Sequence, residues 1–219
     1  TRDQYYGGLK GTARLSDEAI RETEGKVLRD ENHKLVETQF HSTCGGILEM
    51  RSEYSADMTS LKDVSDGAYN CAGSPLYRWV EKLSTDRILR NLAKAGLLPD
   101  PEVRKLEENG YSMDIHVLSR TESGRVRQLQ ISLDKKDYLL GEWQTRKVMT
   151  DDPAKTLPSG LFFLTQSPQN ADTLYVVGAG FGHGRGMCQW GAIGMALNGK
   201  ALDDILKFYY PSLILNKIY

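Results

Sequence analysis

The run Gly178-Ala179-Gly180-Phe181-Gly182-His183-Gly184-Arg185-Gly186 puts a glycine at every second position, and this constrains the backbone more than any other stretch of the chain. Dinucleotide and P-loop fingerprints both require an odd gap between glycines. Glycines confined to even positions cannot supply one, and neither Lys-Ser nor Lys-Thr follows, so phosphate cradling is excluded. Alternation predicts a strand or extended ribbon with one bare face. Ala179, Phe181, His183, Arg185 and Met187 then project from the other face. A bare face admits another backbone or a flat ligand. A face carrying Phe, His and Arg offers stacking and directed hydrogen bonds, which suits a sugar or a peptide. The plainer reading is a tightly packed core strand with His183 satisfied by backbone.

Composition narrows the function classes. Lys and Arg number 28 against 29 Asp and Glu, a net charge of −1 in 219 residues. Tracking nucleic-acid phosphates takes a clustered basic excess, which is absent here, so no nucleic-acid partner is expected. No apolar stretch approaches the ~18 residues that span a bilayer. The chain begins at Thr1 with no charged n-region and no apolar h-region, so no signal peptide is read in it.

Local patterns predict an α+β fold of mixed strands and short helices around a cleft. A capped helix runs from Ser16 to Gly25. A hairpin follows, Lys26 to Arg29 and Lys34 to Thr43, across a polar turn. Ile88, Leu89, Leu92 and Ala95 recur at helical spacing after Ser84, and a second short helix runs from Asp100 to Gly110. A hairpin joins Ile115–Ser119 to Val126–Leu133 through Glu122-Ser123-Gly124. Strands are read at 161–166 and 174–177, and helices at 189–198 and 202–210. Residues 80–150 read as an inserted helix and hairpin subdomain on a core made of 1–79 and 151–219. Residues 50–75 are polar and loop-like.

A second chemical segment is His41-Ser42-Thr43-Cys44-Gly45-Gly46. His41, Cys44 and the later Cys71 have the side-chain types and spacing of a zinc site. A Cys44–Cys71 disulfide, worth roughly 3 to 4 kcal/mol by chain entropy, competes with it. Free buried thiols are the third reading. A full tetrahedral site needs one more group, from water, His183 or Cys188; Cys188 otherwise reads as a small buried residue at a strand-to-helix junction, covalently bonded to neither cysteine. Gly45-Gly46 marks a turn with positive φ. Glu37 and Glu49 flank the segment and read as solvated surface carboxylates.

Together, 41–46 and Gly180-Phe181-Gly182-His183-Gly184-Arg185-Gly186-Met187-Cys188-Gln189-Trp190-Gly191-Ala192 resemble the two signature motifs of the SpoIID/LytB family. The tail from Met195-Ala196-Leu197-Asn198-Gly199-Lys200 through Ile205 to Pro211 resembles it too, as do Asp3 to Gly8 and Ile20 to Leu28. The resemblance covers about two-thirds of the chain. It implies an extracytoplasmic protein of the bacterial cell envelope. Its implied activity is lytic transglycosylation of peptide-free peptidoglycan strands, cleaving the MurNAc–GlcNAc bond to leave 1,6-anhydro-MurNAc ends. It also implies that His41, Ser42, Gly45, Gly46, His183 and Gln189 line the glycan cleft, with Phe181 and Trp190 as sugar platforms. For Trp190, at the start of a helix of small residues, core packing is the competing role.

One carboxylic acid suffices for that reaction. It protonates the leaving oxygen and then, as carboxylate, takes the proton of the sugar's own 6-hydroxyl, which attacks C1. This tethered nucleophile replaces the second carboxylate of a hydrolase. The family's acid lies in a segment upstream of the Gln4-Tyr5-Tyr6-Gly7 stretch, and nothing in this sequence matches that segment. Residues 1–219 by themselves are therefore expected to be inactive, and the role is carried onto neither Glu37 nor Glu49. The alternative function is a non-catalytic glycan-binding modulator of a cell-wall amidase, as in the LytB branch.

Overall fold

The computed structural model describes residues 14–49 and 70–219, so the expectations for Asp3 to Gly8 and for most of the 50–75 loop lie outside the described residues. Two compact units divide the chain, Thr1–Glu37 with Ser212–Tyr219 and Thr38–Pro211.

In the first unit, α1 (Arg14–Thr23) precedes Gly25, whose φ of +71° ends the helical course. β1 (Lys26–Arg29) then pairs antiparallel with β10 (Ile214–Lys217), Lys26 opposite Lys217 and Arg29 opposite Ile214. The predicted hairpin is thus corrected. The polar turn forms, with Asp30 Oδ1 accepting the N–H of Asn32 at 2.9 Å and of Lys34 at 2.8 Å. Beyond it only one bridge joins Arg29 to Leu35. The aspartate closes the turn on itself, and the carboxy-terminal strand occupies the β1 edge instead.

The second unit holds two three-stranded antiparallel sheets. β3 (Arg78–Ser84), β8 (Thr173–Ala179) and β7 (Phe162–Gln166) form one in the order β3-β8-β7. β4 (Met113–Arg120), β5 (Val126–Leu133) and β6 (Lys136–Gly141) form the other. The class is α+β. Ser84 caps α2 (Thr85–Lys94), its side chain accepting the N–H of Arg87 at 3.1 Å. The 3.6-residue pattern buries Ile88, Leu89 and Leu92 completely. They share one core with Leu129, Ile131 and Leu140 of the hairpin sheet and with Phe162 and Val176 of the other. α3 (Asp100–Asn109) and α4 (Glu142–Val148) complete this layer. Asn91 is buried in α2, and its Nδ2 donates to Val148 O at 2.8 Å and Thr150 O at 2.7 Å, satisfying both groups of the end of α4.

Two corrections concern the site. The expected second strand of the first hairpin contracts to β2 (Phe40–His41), which pairs parallel with β9 (Met187–Cys188). The glycine run is not a ribbon. β8 stops at Ala179, and Gly180, Gly182, Gly184 and Gly186 all take positive φ, from +65° to +108°. A left-handed residue at every second position turns the chain out of any ladder, so an irregular loop results. It leads through β9 into α5 (Gln189–Leu197), followed by α6 (Leu202–Tyr209).

Candidate functional site

The irregular glycine loop folds around the 41–49 segment. Thr43 and Phe181 exchange backbone hydrogen bonds of 3.0 and 2.8 Å, Glu49 N–H donates to Gly184 O at 2.8 Å, and Trp190 N–H donates to Ser42 O at 3.0 Å. In the short parallel pair, His41 lies opposite Cys188. The rings of His41 and His183 come within 5.7 Å, centroid to centroid, at 57°. The glycines permit this closeness. A Cβ on Gly182 would sit 2.9 Å from that of His41, and one on Gly186 would overlap the carbonyl of Gln39.

The sequence-derived residues divide by burial. His41 and Gly45 are buried, Ser42, Gly46, His183 and Trp190 are half-buried, and Phe181 and Gln189 are exposed. The Trp190 ring packs near Gly73, 3.7 Å from the position a Cβ would take there. Burial lowers the pKa of both histidines. For His41 the value falls to about 4, desolvation outweighing the favourable bond to Arg185. For His183, burial acts first and the positive charge of Arg185 second. His183 Nδ1 accepts the Arg185 N–H at 3.0 Å, so that nitrogen carries no proton.

Beneath the loop the cysteines cluster. Cys44, Cys71 and Cys188 are all buried and none is in a disulfide. Cys44 Sγ and Cys71 Sγ are 3.5 Å apart. His41, Cys44 and Cys188 bring their ligand atoms within 4.8 Å of one another. Cys188, read from sequence as a small packing residue and as one candidate for the remaining ligand, is a member of the cluster, brought there by its place opposite His41 in the β2–β9 pair. Cys44 N–H (3.2 Å) and Gly191 N–H (3.3 Å) both donate to Cys188 Sγ, and Gly46 N–H donates to Cys44 Sγ at 3.4 Å. Such donors favour thiolate, as does the Cys44 thiol, but at Cys188 the hydrogen bond with Cys71 and burial outweigh them and push the thiol up to about 11. Cys71 is shifted strongly towards thiolate by the thiols of Cys188 and Cys44, whereas Cys44 is pushed up by the same partners and by burial. His41 Nε2 is buried without a hydrogen-bond partner. An imidazole with Nδ1–H on a carbonyl and a bare Nε2 beside thiols has the form of a metal ligand. The donor set fits a thiophilic ion such as zinc, held by His41, Cys44 and Cys188, with Cys71 Sγ adjacent.

Sequence reading missed the group that holds the two segments from below. Arg125 has a side chain 2% exposed. Its Nη2 donates to Cys44 O (3.1 Å) and Ile47 O (2.9 Å), its Nη1 to Ser123 Oγ (2.7 Å), and its guanidinium fills the space where Gly184 has no side chain. Glu49 completes this network and corrects the solvated reading. Its side chain is 11% exposed, pairs with Arg125 at 3.7 Å, and accepts hydrogen bonds from Thr121 at 2.7 Å and from Ser123. A carboxylate so committed is a clamp. Glu37 is exposed, as read. No periodicity marks Arg125, which simply follows the hairpin turn. Tyr210 adds a further tie, its hydroxyl donating to Gln39 O at 2.6 Å and accepting Met187 N–H at 3.2 Å.

A cavity of about 380 Å³ lies on other residues, among them Ser84, Asp86, Tyr111 and Asp172. No helix among the described residues is long and apolar enough to cross a membrane.

The sequence profile of the family described as "Domain of unknown function (DUF8618)" matches residues 23–186. Stage II sporulation protein D of Bacillus subtilis is 29% identical over 88% of this chain and 48% of its own length. The amidase enhancer of Bacillus subtilis is 28% identical over 98% of this chain and 34% of its own. An uncharacterized protein of Brachyspira hyodysenteriae is 28% identical over 96% of this chain and 51% of its own. The chain thus spans about half the length, or less, of these curated relatives. With both signature segments joined in one site and relatives that extend over most of its residues, the chain belongs to the DUF8618 family and is a SpoIID-like protein.

Proposed function

We propose that the chain forms the glycan-holding part of a bacterial cell-wall lytic transglycosylase. The reaction cleaves peptide-free MurNAc–GlcNAc strands to 1,6-anhydro-MurNAc ends outside the cytoplasm. The observation that carries this reading is the junction of the two signature segments, with Phe181 exposed beside half-buried His183 and with His41 behind it. An exposed ring next to a neutral imidazole suits a sugar face with its hydroxyls. Burial and the charge of Arg185 hold His183 neutral, and its Nδ1 accepts the Arg185 N–H. Glu49 is committed to Arg125, Ser123 and Thr121, so the acid that protonates the leaving oxygen is assigned to no described carboxylate. His41, Cys44 and Cys188 would hold a zinc ion, which would supply a structural cross-link between the segments.

The relative named amidase enhancer supports a second reading, a glycan-binding modulator of a cell-wall amidase. One experiment separates the two. The protein, expressed from its gene in full, is incubated with peptide-free strands and the products are analysed by mass spectrometry. Anhydro-muramyl ends support the transglycosylase. Strand binding without cleavage, together with faster release by a cell-wall amidase, supports the modulator. Neither binding nor cleavage overturns both.

A further inference from the structure

In the β3-β8-β7 sheet, alternation sends Trp79, Leu83, Val176 and Phe162 into the core. The register fixes what projects from the opposite face. Val177 lies opposite Val80 on one side and opposite Phe163 on the other, so the three form one row across all three strands. Directly opposite side chains touch across a sheet. Here they do so in the open, with Val80 61%, Val177 42% and Phe163 64% exposed. A contiguous apolar row rimmed by polar groups marks a surface that something else covers.

The neighbouring rows of the same face place this patch and give it a charge. On one side Arg78 lies opposite Ala179. A Cβ on Gly45 would sit 2.8 Å from the Ala179 Cβ, and Arg78 Nη1 donates to Gly45 O at 3.0 Å, so the 41–46 segment packs on that row. The apolar row is the next one along. On its other side Lys82 lies opposite Tyr175, and Tyr175 opposite Thr165. Arg120 adds a third cation, its Cζ 4.7 Å from the centroid of the Phe163 ring. Among the described residues Arg78 and Arg120 donate to carbonyl oxygens alone, and Lys82 has no ion pair, so no carboxylate neutralises any of the three. None projects from these rows either. The face is therefore cationic in a chain whose net charge is −1.

We propose that the Val80–Val177–Phe163 row, with Arg78, Lys82 and Arg120 around it, docks the protein on the surface of an anionic bilayer. Charge complementarity sets the sign of the partner, and the size of the patch sets its class. A stable protein–protein interface takes about 800 Å² from each partner with matched shapes, and a single row of three side chains falls short of that. A second copy would bring the same cations face to face. A bilayer asks for less. A few apolar side chains enter the headgroup region, and the negative surface potential attracts each cation without a fitted counter-ion. The inference stands apart from the glycan reading, and it sets the 41–46 segment beside the membrane.

The test sediments the full chain with vesicles of phosphatidylcholine alone and of phosphatidylcholine and phosphatidylglycerol in equal parts, at low and at physiological salt. The parent should bind the mixed vesicles and leave the neutral ones, and salt should weaken the binding. Lys82→Ala should weaken it by roughly fivefold, the effect of one cation near an anionic surface, and Lys82→Arg should bind as the parent does. Val80→Ser and Phe163→Ser change no charge and lie outside the core, so they should keep the melting temperature and still lose affinity. Mixed vesicles bound equally well by both serine variants would overturn the proposal, since net charge alone would then be at work. No binding of the folded parent to mixed vesicles would overturn it in favour of an acidic protein partner. Sedimentation without vesicles that Val80→Ser abolishes would overturn it in favour of a second copy. The glycan reading stands or falls separately from each of these results.

Discussion

His41 Nδ1 lies 3.0 Å from the carbonyl oxygen of Arg185, 144 residues away. A carbonyl can only accept, so Nδ1 carries the proton and Nε2, buried and without a partner, presents its lone pair. One contact between the two signature segments therefore sets the tautomer that a metal requires, next to Cys44 and Cys188.

Elemental analysis with thiol counting on untreated protein should find one zinc per chain and cysteines protected from alkylation until a chelator is added. Removing the metal should lower the melting temperature, since binding energy of a structural ion is folding energy. Cys188→Ser should weaken the metal as Cys44→Ser does. Absence of metal with one disulfide would place the Cys44–Cys71 bond in its stead, and three reactive thiols without metal would rule out both.

Acid should destabilise the metal-free protein through His41. Its folded pKa is about 4 against an ordinary 6.5, because burial disfavours the imidazolium. Between these values the unfolded chain binds more protons, so stability falls as pH drops through that window. The full loss is about 3 kcal/mol. Urea titrations from pH 7 to pH 4 on the parent and on His41→Gln measure it, and the variant should show a shallower slope.

Removing the cation below the loop should cost more than removing its carboxylate partner's charge. Arg125→Ala leaves the Glu49 charge without its cation and two backbone carbonyls without a donor, and breaking a buried pair in this way costs about 3 to 5 kcal/mol. Glu49→Gln keeps an acceptor for Thr121 and Ser123 and should cost less. Equilibrium denaturation of both single variants and the double variant gives the coupling, which should exceed about 0.5 kcal/mol, the least expected of groups in one network.

Gly186→Ala should destabilise by more than about 2 kcal/mol, since the new Cβ collides with the Gln39 backbone at a φ of +65°. Gly199→Ala has a similar φ but open space around it, and should cost about 1 kcal/mol from the backbone alone. Comparable losses at both positions would mean that the β2–β9 junction relaxes freely.

Local chemistry was legible where one element's own side chains decide it. Ser84 with Ile88, Leu89 and Leu92 specified α2, and the turn at Glu122 to Gly124 specified the β4–β5 hairpin. The glycine run misled because a period of two means a strand only when side chains define a face, and glycines free the backbone to turn instead. The pairing of β1 with β10 was hidden because its partner lies at the far end of the chain. The cluster was half legible. His41 and Cys44 are neighbours in sequence, but Cys188 joins them only through a two-residue parallel pair, and Arg125 carries no pattern at all.

The central claim is that residues 41–46 and 180–190 form one glycan-holding site, and an NMR titration with peptide-free tetrasaccharide tests it most directly. The account predicts saturable shifts concentrated on Ser42, Gly46, Phe181, His183 and Gln189, on both segments at a single dissociation constant. Shifts on one segment alone, or on neither, would contradict it.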